Sequence, residues 1–277
     1  MSDPSREAAR DWWQTAIIDM TPGSIRIRGY PIEQLIGTLD FSQMIWLMTR
    51  GEVPSRPQAT LLGAVLVAGV DHGPQAPTIA IARMAITCGI GINNAMASAA
   101  NVYGDIHGGA AEQAMELLED IGARMDAGAT LEEATRAGLD HFQATIGKFI
   151  PGFGHRFHPH DPRGRRLLGL VDTAAQDGVV PGRFASIGRA IERDLDRRSG
   201  RHLTMNVDGS GAVVLCELGF APTLGRGLMA LSRSVGILAH AWEQQQQGGR
   251  NKGPIPPDFL YTYTGPPARD LEPQASG

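Results

Sequence analysis

The chain has 277 residues, enough for one large domain or two modest ones with a substantial core. Lys plus Arg number 25 against 29 Asp plus Glu, a net charge of −4, so no basic field exists to suit nucleic acid or an anionic membrane surface. Hydrophobic residues at 42% exclude a disordered chain, and a cysteine count of two (Cys88 and Cys216) excludes a disulfide framework and argues against a cysteine-based zinc site.

In chain order, the N-terminal residues Met1 to Trp13 are polar and charged and show no apolar targeting core. Residues 24–30 alternate and predict a short ribbon, and other strand signals are nearly missing. Asp40 and Gln43 have capping-box spacing ahead of Met44, Ile45, Leu47 and Met48, and Gly51 with Pro54 closes that helix. A second helix is predicted over 58–70, with Leu61, Leu62, Val65 and Leu66 on one face. The apolar run at 61–70 is too short to span a bilayer, so a cytoplasmic enzyme or binding protein is expected. A third helix follows Pro77, and another opens near Gly109 with Ala111, Ala114, Met115, Leu118 and Met125 at helical spacings. Thr130 and Glu133 form a further capping box, and Asp161-Pro162 reads as N-cap and first helical residue. Helices over 185–198 and 224–247 complete a mostly α-helical reading. Residues 212–215 are partly β-branched but are flanked like a helix. Both cysteines, and Met44, Trp46, Met48 and Trp242, read as core residues. The Pro/Gly-rich stretches are 248–257 and the tail after Gly265, the latter expected to be a frayed or crossing arm.

The chemistry lies in four short segments that set a polar residue among glycines: Asp71-His72-Gly73 at a helix end, Asp105-Ile106-His107-Gly108-Gly109, Gly152-Phe153-Gly154-His155-Arg156 running on to Asp161-Pro162-Arg163, and Asn206-Val207-Asp208-Gly209-Ser210-Gly211, read as a loop. Glycine lets backbone approach a ligand closely. A histidine just before a helix sets a donor beside free N–H groups, which suits an oxyanion or enolate. Each segment alone is more often a cap or a turn. His155, His158 and His160 have a metal-like spacing, but in a Pro-containing loop without a carboxylate partner, so no metal is expected.

Together and in order, the segments resemble the citrate synthase family. Arg28-Gly29-Tyr30 with Ile32 and Leu35, Gly51-Glu52-Val53-Pro54, the four segments above, and Ser232-Arg233 with Gly236, His240, Glu243 and Gln244 carry the likeness, which covers residues 14–266. The short length resembles citryl-CoA lyase and the citrate-synthase-like end of ATP-citrate lyase.

The resemblance implies an all-α fold with a large domain (1–108 and 223–277) and an inserted smaller domain on the CoA side (109–222), assembled as a homodimer. It implies no bound cofactor, with a coenzyme A thioester and a small 2-oxo acid as substrates. Asp208 would move the thioester methyl proton, His107 would hydrogen-bond the enolate oxygen, and His155 would serve the ketone or tertiary hydroxyl oxygen. His72, Arg163 and Arg233 would hold carboxylates, a task suited to the guanidinium fork, and Arg156 would meet CoA phosphate. Two departures stand out. The family's C-terminal Ile-Arg-Pro arginine is replaced by Ile255-Pro256-Pro257, leaving Arg250 and Lys252 as nearby alternatives, and Asp105 occupies a position where the family has an apolar or proline residue. The implied reaction is citryl-CoA cleavage to acetyl-CoA and oxaloacetate. A citrate or methylcitrate synthase is the alternative within the family. A silent acyl-CoA-binding subunit is the alternative outside enzymes, and intact His107, His155 and Asp208 weigh against it.

Overall fold

A computed structural model describes residues 4–155, 159–256 and 258–270. Among these the chain forms twelve helices and one small sheet. The N-terminal part is α1 (Pro4–Trp12), β1 (Ile18–Thr21), β2 (Ser24–Ile27), β3 (Tyr30–Pro31) and α2 (Ile32–Leu35). The expected ribbon is a three-stranded antiparallel sheet, with Ile18 opposite Ile27 and Arg26 opposite Pro31. Helix α1 is short and mostly polar, and was not assigned from sequence.

Next come α3 (Phe41–Arg50), α4 (Arg56–Gly69), α5 (Pro77–Thr87) and α6 (Ile92–Ala100). The Asp40–Gln43 capping box forms as its spacing requires, and Ser55 with Gln58 caps α4 in the same way, so that α4 starts two residues earlier than predicted. Helix α6, in which Ile92 and Met96 are the only large apolar residues, was not assigned from sequence. Helices α7 (Ala110–Asp126), α8 (Leu131–Thr145), α9 (Pro162–Gln176) and α10 (Arg183–Ser199) follow, then α11 (Val207–Glu217) and the long α12 (Pro222–Gln247). Thr130 and Asp161 cap α8 and α9 as expected.

Helix α11 is the centre of the molecule. Its residues 209–217 are all buried, and α7, α9, α10 and α4 pack around it. A helix enclosed on all sides needs apolar residues all round, so its sequence shows no helical stripe and looks partly strand-like. At its C-terminal end the buried carboxylate of Glu217 accepts the N–H groups of Gly182 (2.9 Å) and Ala185 (3.0 Å) at the start of α10. The main core joins α3 and α4 to α7–α11, and a second, smaller core takes Ile79, Ala82, Ala95, Ala99, Ile237 and Ala241 from α5, α6 and α12.

Four core assignments need correction. Cys88 is exposed, because it sits just past the last turn of α5. Trp242 is 54% exposed on the outer face of α12, and Met44 and Met48 are half-buried, whereas Trp46 is buried against Phe220. Burial pushes the Cys216 thiol well above its ordinary pKa. No described helix is long and apolar enough to cross a membrane.

Candidate active site

Six residues separated widely in sequence line one cleft of about 450 Å³: His72, His107, His155, Arg163, Asp208 and Arg233. Each arrives on a different piece of local structure.

The His72 loop follows the end of α4. Asp71 Oδ2 accepts the Gly73 N–H at 3.1 Å, and Gln75 Nε2 donates to the His72 carbonyl at 2.9 Å. His240 of α12 reaches Asp71 Oδ1 at 3.3 Å and is backed by Arg83, which also pairs with Glu243 at 2.5 Å. Burial acts to raise Asp71, but the Gly73 and His72 N–H groups and His240 outweigh it and hold the carboxyl below its usual range.

The His107 loop is closed on itself by the Gly104 N–H to the His107 carbonyl at 2.9 Å. Gly108 has φ +87°, and a Cβ there would meet the Tyr103 ring at 2.2 Å. Asp105 has a structural role in this loop. It pairs with Arg226 of α12 at 2.6 Å, and Arg226 also pairs with Glu112 of α7, so the loop is tied to two helices. The His107 Nε2 lies 3.4 Å from the fully buried hydroxyl of Thr78 on α5.

His155 and Asp208 are joined through Asn206. That residue is not in a loop, as read from sequence, but is the N-cap of α11, so Asp208 lies in the first helical turn. The Asn206 Oδ1 accepts the N–H groups of Asp208 (2.9 Å) and Gly209 (3.2 Å), and its Nδ2 donates to the Gly154 carbonyl at 2.8 Å. Gly209 packs directly on the Gly152 backbone, where a Cβ would lie 2.3 Å from the carbonyl oxygen. Asp161 completes the connection: its fully buried carboxylate pairs with Arg163 at 2.9 Å and accepts the Val207 N–H at 3.0 Å.

The electrostatics follow from this crowding. Burial pushes the Asp208 carboxyl up, against the pull of Arg233, Arg163 and His107. Burial and then Arg233 lower His107, with Asp208 opposing, while burial, Arg163 and Arg233 lower His72. Both imidazoles are therefore neutral near pH 7. The His72 and His155 rings are 5.9 Å apart, and Arg163 reaches His155 Nε2 at 3.5 Å. Arg233 donates from Nε to the Gly69 carbonyl at 3.0 Å, and its terminal nitrogens engage no described residue. A cleft with two guanidinium groups, three imidazoles and one carboxylate suits a polyanionic ligand and carries a base for proton transfer.

Arg156 and His158 lie outside the described residues. His160 sits with its ring 5.0 Å from that of His202, and the described residues contain no group of three His, Cys, Asp or Glu placed to hold a metal. Arg250 and Lys252 are not among the residues lining the cleft. The backbone beside them, at Asn251 and Lys252, is bound to Thr87 at the end of α5. Sequence reasoning missed Tyr103 and Thr78 as residues facing or supporting the site. Tyr103 lies four residues before His107, a spacing that a closed loop brings together.

The family model for the citrate synthase C-terminal domain matches residues 56–255, and the chain belongs to the citrate synthase family. It is similar to the solved structure of citryl-CoA lyase from Hydrogenobacter thermophilus, with 30% identity, a TM-score of 0.82, and coverage of 94% of this chain and 97% of that one. It shares its fold with ATP citrate lyase from Methanosaeta concilii solved with (3S)-citryl-CoA, with a TM-score of 0.75 and 19% identity over 96% of this chain and 45% of that one. Among curated relatives, citrate synthase of Acidithiobacillus ferridurans is 29% identical over 233 residues, 82% of this chain and 56% of the relative. The chain thus spans about half the length of the curated citrate synthases it matches.

Proposed function

We propose that the protein makes or breaks the carbon–carbon bond between an acyl-CoA α-carbon and a 2-oxo acid, acting as a citryl-CoA lyase that yields acetyl-CoA and oxaloacetate. The observation that carries this reading is the convergence of His107, His155 and Asp208 with His72, Arg163 and Arg233 on one cleft. The match in length and fold to a citryl-CoA lyase favours the cleavage direction. The citrate synthase relatives favour the alternative, a citrate or methylcitrate synthase that adds hydrolysis of the thioester. An intact proton-transfer set weighs against a silent acyl-CoA-binding subunit.

In cleavage, His155 takes the proton of the tertiary hydroxyl of citryl-CoA. That oxygen's electron pair forms the ketone as the adjacent C–C bond breaks. The bond's electrons pass into the thioester, giving an enolate whose oxygen accepts a hydrogen bond from His107. Asp208 in its acid form then protonates the terminal carbon to give acetyl-CoA. A carboxyl pushed up by burial is suited to this exchange in either direction, because it holds a proton more readily than an exposed aspartate. A neutral His107 that receives the Thr78 hydroxyl proton at Nε2 carries its own proton on Nδ1, which gives the donor the enolate needs. His72, Arg163 and Arg233 hold the substrate carboxylates.

The CoA thioester is a substrate in this scheme rather than a resident cofactor. A second cleft of about 390 Å³ shares Gly154 with the first and offers apolar walls from Phe149, Ile150, Phe153 and Leu203 under a rim of Lys148, Arg198 and Arg201. This combination supports a seat for the nucleotide end of CoA, with Arg156 assigned to its phosphates. The lobes 1–108 with 223–277 and 109–222 are proposed to close over the ligands and exclude water from the enolate. The exposed Leu231, Val235, Leu238 and Trp242 along α12 support a homodimer, and the cytoplasm is the proposed setting.

Two assays followed by mass spectrometry test the reading. Citryl-CoA should give acetyl-CoA and oxaloacetate without free CoA. Acetyl-CoA with oxaloacetate giving citrate and free CoA would establish the synthase instead. Inactivity in both, from folded protein, would overturn the oxaloacetate assignment.

A further inference from the structure

Tyr103 is not among the residues that the family resemblance assigns to chemistry, yet it lines the cleft. It opens the loop that carries His107, and the Gly104 N–H bonded to the His107 carbonyl folds that loop so that both side chains face the same space. The two ring centres are 5.6 Å apart and the planes are tilted by 49°. Both residues line the same cleft at that separation, so one ligand can meet both side chains. The ring's position is fixed from behind. It occupies the space that any side chain on residue 108 would need, so Gly108 is the residue that admits it. The phenol hydroxyl makes no hydrogen bond to any described residue. A half-buried tyrosine that lines a cleft can donate its hydroxyl to a ligand bound there.

The phenol lies beside His107, the residue assigned to the enolate oxygen. After burial, which raises its pKa, the groups that act on it are Arg233 and Asp208. It therefore lies within the field of both groups, and because burial raises its pKa it stays protonated throughout the physiological range.

We propose that the Tyr103 hydroxyl is a second donor to the thioester oxygen, so that the enolate is held between a phenol and the His107 imidazole. The inference rests on the acyl-CoA reading given above. In condensation, Asp208 removes a methyl proton and the C–H pair becomes the enolate double bond. The carbonyl π pair moves to oxygen, which accepts hydrogen bonds from Tyr103 and His107, and neither donor gives up its proton. In cleavage the same oxygen receives the charge released by the breaking C–C bond. Two donors aimed at one developing charge outperform one, because the enolate is far more basic than the thioester it comes from.

Tyr103→Phe isolates the hydroxyl, since the ring that packs on Gly108 is kept. Three quantities decide the matter: kcat, the KM for the 2-oxo acid or citryl-CoA, and the Kd of the carboxymethyl thioether of CoA, whose carboxylate copies the charged oxygen of the enolate. The expected result is a fall in kcat on the order of 100-fold with KM within about twofold. Affinity for the carboxymethyl thioether should fall by more than affinity for acetyl-CoA. An unchanged kcat would reduce Tyr103 to a wall residue. A raised KM for the 2-oxo acid with kcat intact would make it a carboxylate ligand beside Arg233. Either outcome overturns the inference while leaving the acyl-CoA reading standing. Wild-type protein that turns over neither citryl-CoA nor acetyl-CoA with any 2-oxo acid refutes that reading, and the inference falls with it.

Discussion

Replacing Asp161 with alanine removes the carboxylate that joins three parts of the site. Its side chain has no exposed surface, and each oxygen accepts two hydrogen bonds. Oδ1 takes the Arg163 backbone N–H and Nε, both at 3.0 Å. Oδ2 takes an Arg163 terminal nitrogen at 2.9 Å and the Val207 N–H at 3.0 Å. Loss of the α9 cap costs about 1 kcal/mol. An orphaned N–H on buried Val207 costs about 1–3 kcal/mol. The Arg163 guanidinium keeps 24% exposure and partial hydration, so its lost pairing adds about 1 kcal/mol rather than a buried-charge penalty. The sum is roughly 3–5 kcal/mol, to be read from urea unfolding at pH 7 with an unchanged m-value. Burial acts to raise Asp161, but its hydrogen bonds outweigh that and hold its pKa low. The stability linked to this shift is fully present above the unfolded value of about 3.9 and is lost as pH falls through the lower folded value. The gap between wild type and variant should therefore narrow in acid. A loss under about 1 kcal/mol at pH 7, or a gap that widens below pH 4, would refute the reasoning.

Other perturbations separate chemistry from architecture. Asp208→Asn should reduce turnover by about three orders of magnitude or more, yet leave the protein at least as stable as wild type at pH 7. Because burial raises this carboxyl, its ionisation opposes folding, and any gain in the variant should begin to shrink as pH falls through the folded pKa and vanish below the unfolded value of about 3.9; paired kinetics and pH-dependent unfolding check both points. Thr78→Val should lower kcat about 10-fold with little change in KM, because His107 loses the partner that sets its tautomer; a KM effect alone would refute that role. Gly209→Ala should destabilise the protein and depress turnover together, since the new Cβ would collide with the Gly152 carbonyl; unfolding and initial-rate measurements on one preparation would show it, and full activity would mean that the two loops separate easily.

Much of this protein was readable from its amino-acid order because the relevant physics is local. Asp40 with Gln43, Thr130 with Glu133, and Asp161 ahead of Pro162 specify helix starts through bonds spanning at most three residues. The six residues that line the cleft were picked out through short family-like motifs, each readable as a string. Periodicity failed where its cause was missing. The enclosed α11 needs no stripe, α6 is short and rich in alanine, and the Asn206 segment looked like a turn because an Asx turn and a helix cap share the same first hydrogen bonds. Exposure of Cys88 and Trp242 depended on which helix face met a neighbour, a matter of packing rather than composition. Only the tertiary structure could place Asp161 beneath both Arg163 and Val207, tie Asp105 to Arg226 across 121 residues, and turn Tyr103 toward the same cleft as His107. Such contacts join distant parts of the chain, and their energies exist only once the packed helices have brought those parts together.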